Sequence, residues 1–169
     1  GQYWDSHGVA TKYRSKATET ELKKARDFSA KYSGGNKKPK PWRTVRDAIG
    51  DLPDPRNKTV IEIANHEFRP GARSYAGHTG SVLDEPSKTI KAGAHGVPGG
   101  ENTIVLDDGT VRYYTVRESA RIQTFPDDYL FFGSWTESMR QIGNAVPVKL
   151  AQMIGESVIK ELERVGNNA

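Results

Sequence analysis

The chain of 169 residues contains no cysteine. This absence excludes disulfide bonds, and it excludes any site in which this chain supplies a thiolate as nucleophile or metal ligand. No apolar run approaches the roughly 20 residues of a membrane-spanning helix, and no secretory signal peptide is visible. Apolar residues make up only 35% of the chain. We therefore expect a cytoplasmic protein with a thin core, an extended shape or a large surface for a partner.

Histidines are also few, and they do not form a metal-binding pattern. The four are scattered along the chain without the close spacing that zinc sites show. The sequence therefore predicts no metal site. They are His7, His66, His78 and His95.

Positive charge is concentrated in the first third of the chain. Residues 1–58 carry 14 Lys and Arg against 7 Asp and Glu, whereas the remainder carries a net −3. A basic segment suits contact with phosphate groups, whose affinity comes largely from counterion release. A solvated lysine-rich surface has the same composition, so charge by itself does not identify the partner.

The most informative stretch is 115–150, which predicts a capped helix ended by Pro126, a tight Gly-Asn turn and the start of a second helix. Thr115 and Glu118 have the spacing of a capping box, in which each side chain binds the other residue's backbone N–H. Gly143 and Asn144 tolerate positive φ and predict a tight turn, and Pro147 suits the first turn of a helix that runs to about residue 163.

These residues resemble the ninth and tenth conserved motifs of the DNA (cytosine-5) methyltransferases. The ninth-motif residues are Arg117, Glu118, Ala120 and Arg121, followed by Phe125-Pro126; the tenth motif is Gly143 through Pro147. The resemblance implies that Arg117, Glu118 and Arg121 are structural. It also implies that Gly143, Asn144, Ala145 and Val146 lie beside S-adenosylmethionine, with Gly143 required for the turn.

The middle of the chain is dense in turns and short strands. Residues 59–64 and 88–92 predict strands, and Asp107-Asp108-Gly109 between two β-rich runs predicts a hairpin. Two glycine-rich loops occupy 69–80 and 91–102. Together with the motifs, this region resembles the family's target recognition domain, with Thr89-Ile90 preceding the loop that enters the major groove. The candidate contacts to duplex DNA are Arg69, Arg73, Tyr75, His78, Lys88, Thr89, Lys91, His95, Glu101 and Asn102.

We therefore predict an α+β fold with four parts. Residues 1–43 form a basic arm and helix, 44–114 the target recognition region, 115–133 the ninth-motif helix, and 134–169 the tenth-motif turn and C-terminal helix. The resemblance implies that this last helix packs on a separate Rossmann-like catalytic domain. Left without that domain, it would expose an apolar stripe and thus an interaction surface.

What the resemblance requires and the chain lacks is the catalytic half. The family's reaction needs a cysteine nucleophile and a glycine-rich cofactor loop, and neither is present. We therefore expect the chain to share S-adenosylmethionine with a partner that carries the first eight motifs, in the bacterial cytoplasm near the nucleoid. It could be a natural small subunit of a split enzyme or a C-terminal fragment. The alternatives are a stand-alone DNA-binding protein and a purely structural module.

Overall fold

The structure is a computed structural model that describes residues 2–32, 42–57, 63–74, 76–77, 79–92 and 102–166. The chain divides into two compact units, Gly1–Arg43 and Thr44–Ala169. The first unit contains helix α1 (Gln2–Ser6), a 3-10 turn (Thr11–Tyr13) and helix α2 (Glu19–Tyr32). Thr18 and Glu21 have the spacing of a capping box, and they cap the start of α2 through reciprocal hydrogen bonds. No residue of α2 is buried.

The second unit contains a small three-stranded sheet. Strand β1 (Ser81–Val82) pairs in parallel with β2 (Thr103–Val105), and β2 pairs antiparallel with β3 (Val111–Tyr113). The turn between β2 and β3 is closed by Gly109 N–H, which donates to Leu106 O at 2.9 Å, and Gly109 has φ +82°. The predicted hairpin is therefore confirmed.

The described part of the second unit also contains four helices, and the first three of them supply most of its buried core. The four helices are α3 (Val45–Ile49), α4 (Val116–Ile122), α5 (Trp135–Asn144) and α6 (Val148–Gly166). Thr44 caps α3 and Thr115 caps α4, each in a complete capping box. The buried core consists of Val45, Ile49, Ile90, Ile104, Tyr114, Val116, Ala120, Phe131, Met139 and Ile142.

The strand predicted at residues 88–92 is wrong. The segment pairs with no strand of the described part of the chain, and β1 at Ser81–Val82 lies beside β2 instead. Side chains hold the segment instead. Ser81 Oγ accepts from Lys88 N at 3.1 Å, and Asn102 Oδ1 accepts from Lys91 N at 3.3 Å. Of the strand predicted at 59–64, residues 59–62 lie outside the described residues, and 63–64 are not in a strand.

Helix α6 differs from the other helices of this unit because none of its described residues is buried. Its apolar stripe has exposed fractions between 49% and 67%. No described helix is long and apolar enough to span a membrane. The residues of the stripe are Leu150, Ile154, Val158 and Leu162.

Candidate functional site

Helix α4 is fixed to the sheet by a buried ion pair. Glu118 accepts hydrogen bonds from both terminal nitrogens of Arg112, at 2.7 and 2.6 Å, and its side chain is only 2% exposed. The same carboxylate accepts from Thr115 N at 2.8 Å, so one side chain both caps the helix and neutralises the arginine. Arg112 Nε has no partner among the described atoms. Among the described residues, Glu118 is therefore the only carboxylate that hydrogen-bonds the Arg112 guanidinium.

Arg117 ties together two segments that are distant in sequence. Its buried guanidinium donates to the backbone oxygens of Ala64, Pro126 and Tyr129 at 3.0–3.2 Å. Its own backbone N–H donates to Asn65 O at 2.7 Å. The planar, charged guanidinium has enough donors to bind all three carbonyls at once. Arg117 therefore holds the backbone segments around the ninth motif together.

Asn65 was not singled out by the sequence, although it supports the same backbone. It has φ +65°, a conformation that asparagine tolerates better than most residues. Its side-chain amide both donates to Phe131 O and accepts from Phe131 N, each at 2.9 Å. Only the tertiary structure brings these residues together, because 66 positions separate them.

Arg121 forms a more exposed network at the end of α4. It binds both carboxylate oxygens of Asp127, at 2.8 and 2.7 Å, and it also contacts Asp51. These hydrogen bonds hold the pKa of the Asp127 carboxyl below its usual value. Arg121 thus links the segment after Pro126 to the segment after α3.

The junction between α5 and α6 is held by the residues that follow α4. Gln123 Nε2 donates to Ile142 O at 3.1 Å, and Gln123 O accepts from Val148 N at 3.1 Å. Thr124 has φ +61°, and its hydroxyl accepts from Lys149 N at 2.9 Å. Sequence reasoning missed both roles, because a glutamine and a threonine after a helix carry no pattern that predicts such contacts.

Gly143 and Asn144 are not the tight turn that the sequence predicts. Both lie in the last turn of α5, neither has positive φ, and Ala145 caps the helix. The need for glycine at position 143 has a different cause. A Cβ there would lie 2.5 Å from Ala92 N and 2.7 Å from Lys91 C, far inside van der Waals contact. The helix therefore packs directly on the backbone at the start of the second glycine-rich loop.

The side chains on either side of Ala145 are open to solvent. Asn144 is exposed, and Val146 is 58% exposed. A cavity of about 180 Å³ lies elsewhere, between α3, the sheet and α4, and residues 143–146 do not line it. Its volume is below the roughly 300–1,000 Å³ of typical small-molecule sites. Among the described residues, no group of acidic or histidine side chains could hold a metal ion.

The candidate DNA contacts fall into three groups. Arg69, Arg73, Lys88, Thr89 and Lys91 are all exposed. Asn102 is instead buried, with its side-chain oxygen bound to the Lys91 N–H, so it supports the loop rather than facing solvent. The remaining candidates lie outside the described residues: Tyr75, His78, His95 and Glu101.

His66 also has a structural place. It is buried, with Nε2 2.8 Å from Pro53 O and Nδ1 2.9 Å from the Thr115 hydroxyl. A carbonyl oxygen can only accept, so Nε2 is the donor in the bond to Pro53 O. The ring therefore links the α4 cap to the segment after α3, and both of its nitrogens are occupied.

A comparison against protein families shows which family this sequence matches. Residues 5–160 match the model described as C-5 cytosine-specific DNA methylase. The chain belongs to this family. Its relatives in the family include the type II methyltransferase M.MthTI of Methanothermobacter thermautotrophicus, with 36% identity over 157 residues, which cover 76% of this chain and 48% of that protein.

Further methylase relatives cover this chain to a similar extent. M.BbvI of Brevibacillus brevis is 31% identical over 73% of this chain and 38% of its own length. M.HindV of Haemophilus influenzae is 40% identical over 69% of this chain and 36% of its own length. The chain therefore spans about half or less of the length of these curated relatives.

Proposed function

We propose that this chain is the DNA-recognition part of a cytosine-5 DNA methyltransferase. In this proposal it binds duplex DNA sequence-specifically and completes the S-adenosylmethionine site of a partner that carries the catalytic cysteine. It is a recognition subunit or fragment of that enzyme and has no methyl transfer activity of its own. The absence of cysteine supports this division of labour, because a thiolate nucleophile must come from outside these 169 residues.

The observation that carries the proposal is the unpacked face of α6. An amphipathic helix normally gains its stability by burying its apolar side, yet every described residue of α6 is exposed. The helix is nevertheless anchored at its start by Gln123 and Thr124, so its direction is set by the rest of the unit. An anchored helix with an open apolar stripe suits docking on a Rossmann-like catalytic domain.

The proposed cofactor contact fits one wall of a site rather than a whole pocket. Asn144 offers an amide and Val146 an apolar side chain, and both are open to a partner. These groups suit the mixed polar and apolar character of S-adenosylmethionine, which would supply the methyl group. Gly143 lets α5 pack on the backbone of Lys91 and Ala92. The remaining walls of the site would come from the catalytic half of the enzyme.

Complementation tests this proposal most directly. The purified chain is expected to transfer no methyl groups from labelled S-adenosylmethionine to duplex DNA. Addition of a chain that carries the first eight motifs should restore cytosine-5 methylation. Methyl transfer by the rigorously purified chain alone would contradict the division of labour, whereas sequence-specific DNA binding without complementation would favour a stand-alone DNA-binding protein.

Two variants of α6 sharpen this experiment. Val158→Asp places a charge in the exposed stripe, where it cannot disturb a packed core in the free chain but would be buried on docking. It should abolish complementation and leave the fold of the free chain unchanged. Lys160→Ala on the same helix is the matched control and should complement normally.

The exposed loop residues are proposed to divide between phosphate and base contacts. Phosphate contacts set position, whereas base contacts specify sequence. Lys88→Ala should weaken binding to all duplexes alike and lower the salt-dependence slope by about one.

Arg73→Ala should lose roughly 1–3 kcal/mol of binding free energy on the true site and relax the preference at one base pair. Binding of the assembled enzyme to single-base variants of its site, at several salt concentrations, separates the two. Equal losses from Arg73→Ala on every variant would make it a backbone contact.

A further inference from the structure

Two arginines of the second unit differ from all the others. Arg69 and Arg73 are exposed and have no carboxylate within ion-pair distance among the described residues. Every other arginine from position 46 onward has such a partner. Those paired arginines are Arg46, Arg56, Arg112, Arg117, Arg121, Arg140 and Arg164.

Arg69 is held in place even though it lacks an acidic partner. Its guanidinium carbon lies 4.5 Å from the centroid of the Trp135 ring, a cation–π distance. The indole is itself fixed, because Trp135 Nε1 donates to Tyr114 O at 3.0 Å. The Tyr113 ring packs beside it, with the centroids 5.3 Å apart. The indole thus contacts both Tyr113, at the end of β3, and the exposed Arg69.

A guanidinium that packs on an aromatic ring keeps its N–H groups available for other partners. Its donors form a planar fork that matches two acceptor oxygens at once, as in a phosphate, or the paired acceptors on the edge of guanine. The indole also limits the rotamers of the arginine, so less conformational entropy is lost when an acceptor binds. A carboxylate in an ion pair would have competed for the same donors, and none lies within ion-pair distance among the described residues.

We propose that Arg69 is a bidentate contact to a DNA phosphate and that Trp135 is the residue that positions it. This inference rests on the proposed DNA-recognition function. It adds to that function a residue, Trp135, which the sequence did not mark as a DNA-binding element. Trp135 acts only through Arg69 and touches no DNA itself.

A double-mutant cycle in the assembled enzyme tests both roles. Arg69→Ala should weaken binding to duplex DNA about tenfold or more, since hydrogen bonds to charged groups are the strong ones. Arg69→Lys, which keeps the charge without the planar fork, should recover only part of this loss. Trp135→Leu should weaken binding in the native background but have no further effect in the Arg69→Ala background, because a positioning residue has nothing left to position.

The control and the contrary outcomes separate this inference from the proposed function. Arg140→Ala removes an arginine on the same helix as Trp135 that is already paired with Glu137, and it should leave binding unchanged. If Arg69→Ala binds as well as the native protein, or if Trp135→Leu weakens binding equally in both backgrounds, the inference is wrong and the proposed function stands. If the loss depends on a guanine at one position, the acceptor is a base and the phosphate contact is wrong. Absence of any DNA binding by the native assembly would overturn both.

Discussion

Replacement of Glu118 by alanine is expected to lower the free energy of unfolding by about 3–5 kcal/mol. The substitution leaves the Arg112 guanidinium buried without a counter-charge, and its Nε already lacks a partner among the described atoms. It also removes the acceptor for Thr115 N and so half of the capping box. Urea denaturation monitored by circular dichroism measures the change.

Two further variants show whether the buried charge is the cause. Arg112→Met combined with Glu118→Leu removes both charges, and it should recover at least half of the loss, because apolar side chains of similar volume often replace a buried pair without cost. Glu137→Ala breaks an exposed pair with Arg140, which solvent screens, and should change the stability far less than Glu118→Ala does. A loss from Glu118→Ala as small as that from Glu137→Ala would show that the pair contributes little.

Replacement of Gly143 by alanine is expected to destabilise the protein by about 1–3 kcal/mol or more, which is the usual cost of overpacking. The backbone at this position is helical, so alanine would otherwise be favoured there. Steric conflict decides the sign, because the added Cβ would meet Ala92 N at 2.5 Å, and backbone atoms cannot rotate aside as a side chain can. The displaced segment includes Lys91, so DNA binding should weaken as well.

Gly155 provides a matched control in another helix. It lies within α6, and a Cβ added there meets no atom within 4 Å. Gly155→Ala should therefore stabilise the protein by up to about 1 kcal/mol through helix propensity alone. Thermal unfolding of the two variants should move in opposite directions. If Gly143→Ala is as stable as the native protein, the contact with Lys91–Ala92 is not as close as the structure indicates.

Capped helices and the hairpin could be predicted from the sequence because the interactions that form them lie within a few residues. The capping boxes at Thr115 and Thr18 each need only two side chains three positions apart. The hairpin at Gly109 needs only a turn residue between two β-rich runs. Family membership was recognisable for a related reason: the ninth and tenth motifs are short and stand in a fixed order.

Contacts between segments that are distant in sequence could not be predicted from local spacing. The strand predicted at 88–92 was wrong because strand pairing joins distant segments. Ser81–Val82 pairs with β2, which lies more than 20 positions further along the chain. The interpretation of Gly143 as a turn residue was wrong as well. Glycine serves both positive φ and close packing, and only the position of Ala92 distinguishes the two.

The sequence by itself determined the family, the capped helices, the hairpin and the absence of a thiolate nucleophile. Each of these follows from residue identity or from spacing along one short segment. The tertiary structure decided which arginines form ion pairs, as Arg112 does with Glu118. It also decided which stay exposed, as Arg69 does while it packs on the ring of Trp135. It also decided that α6 leaves its apolar face uncovered among the described residues. These features depend on distances between separate segments, and spacing along the chain does not set such distances.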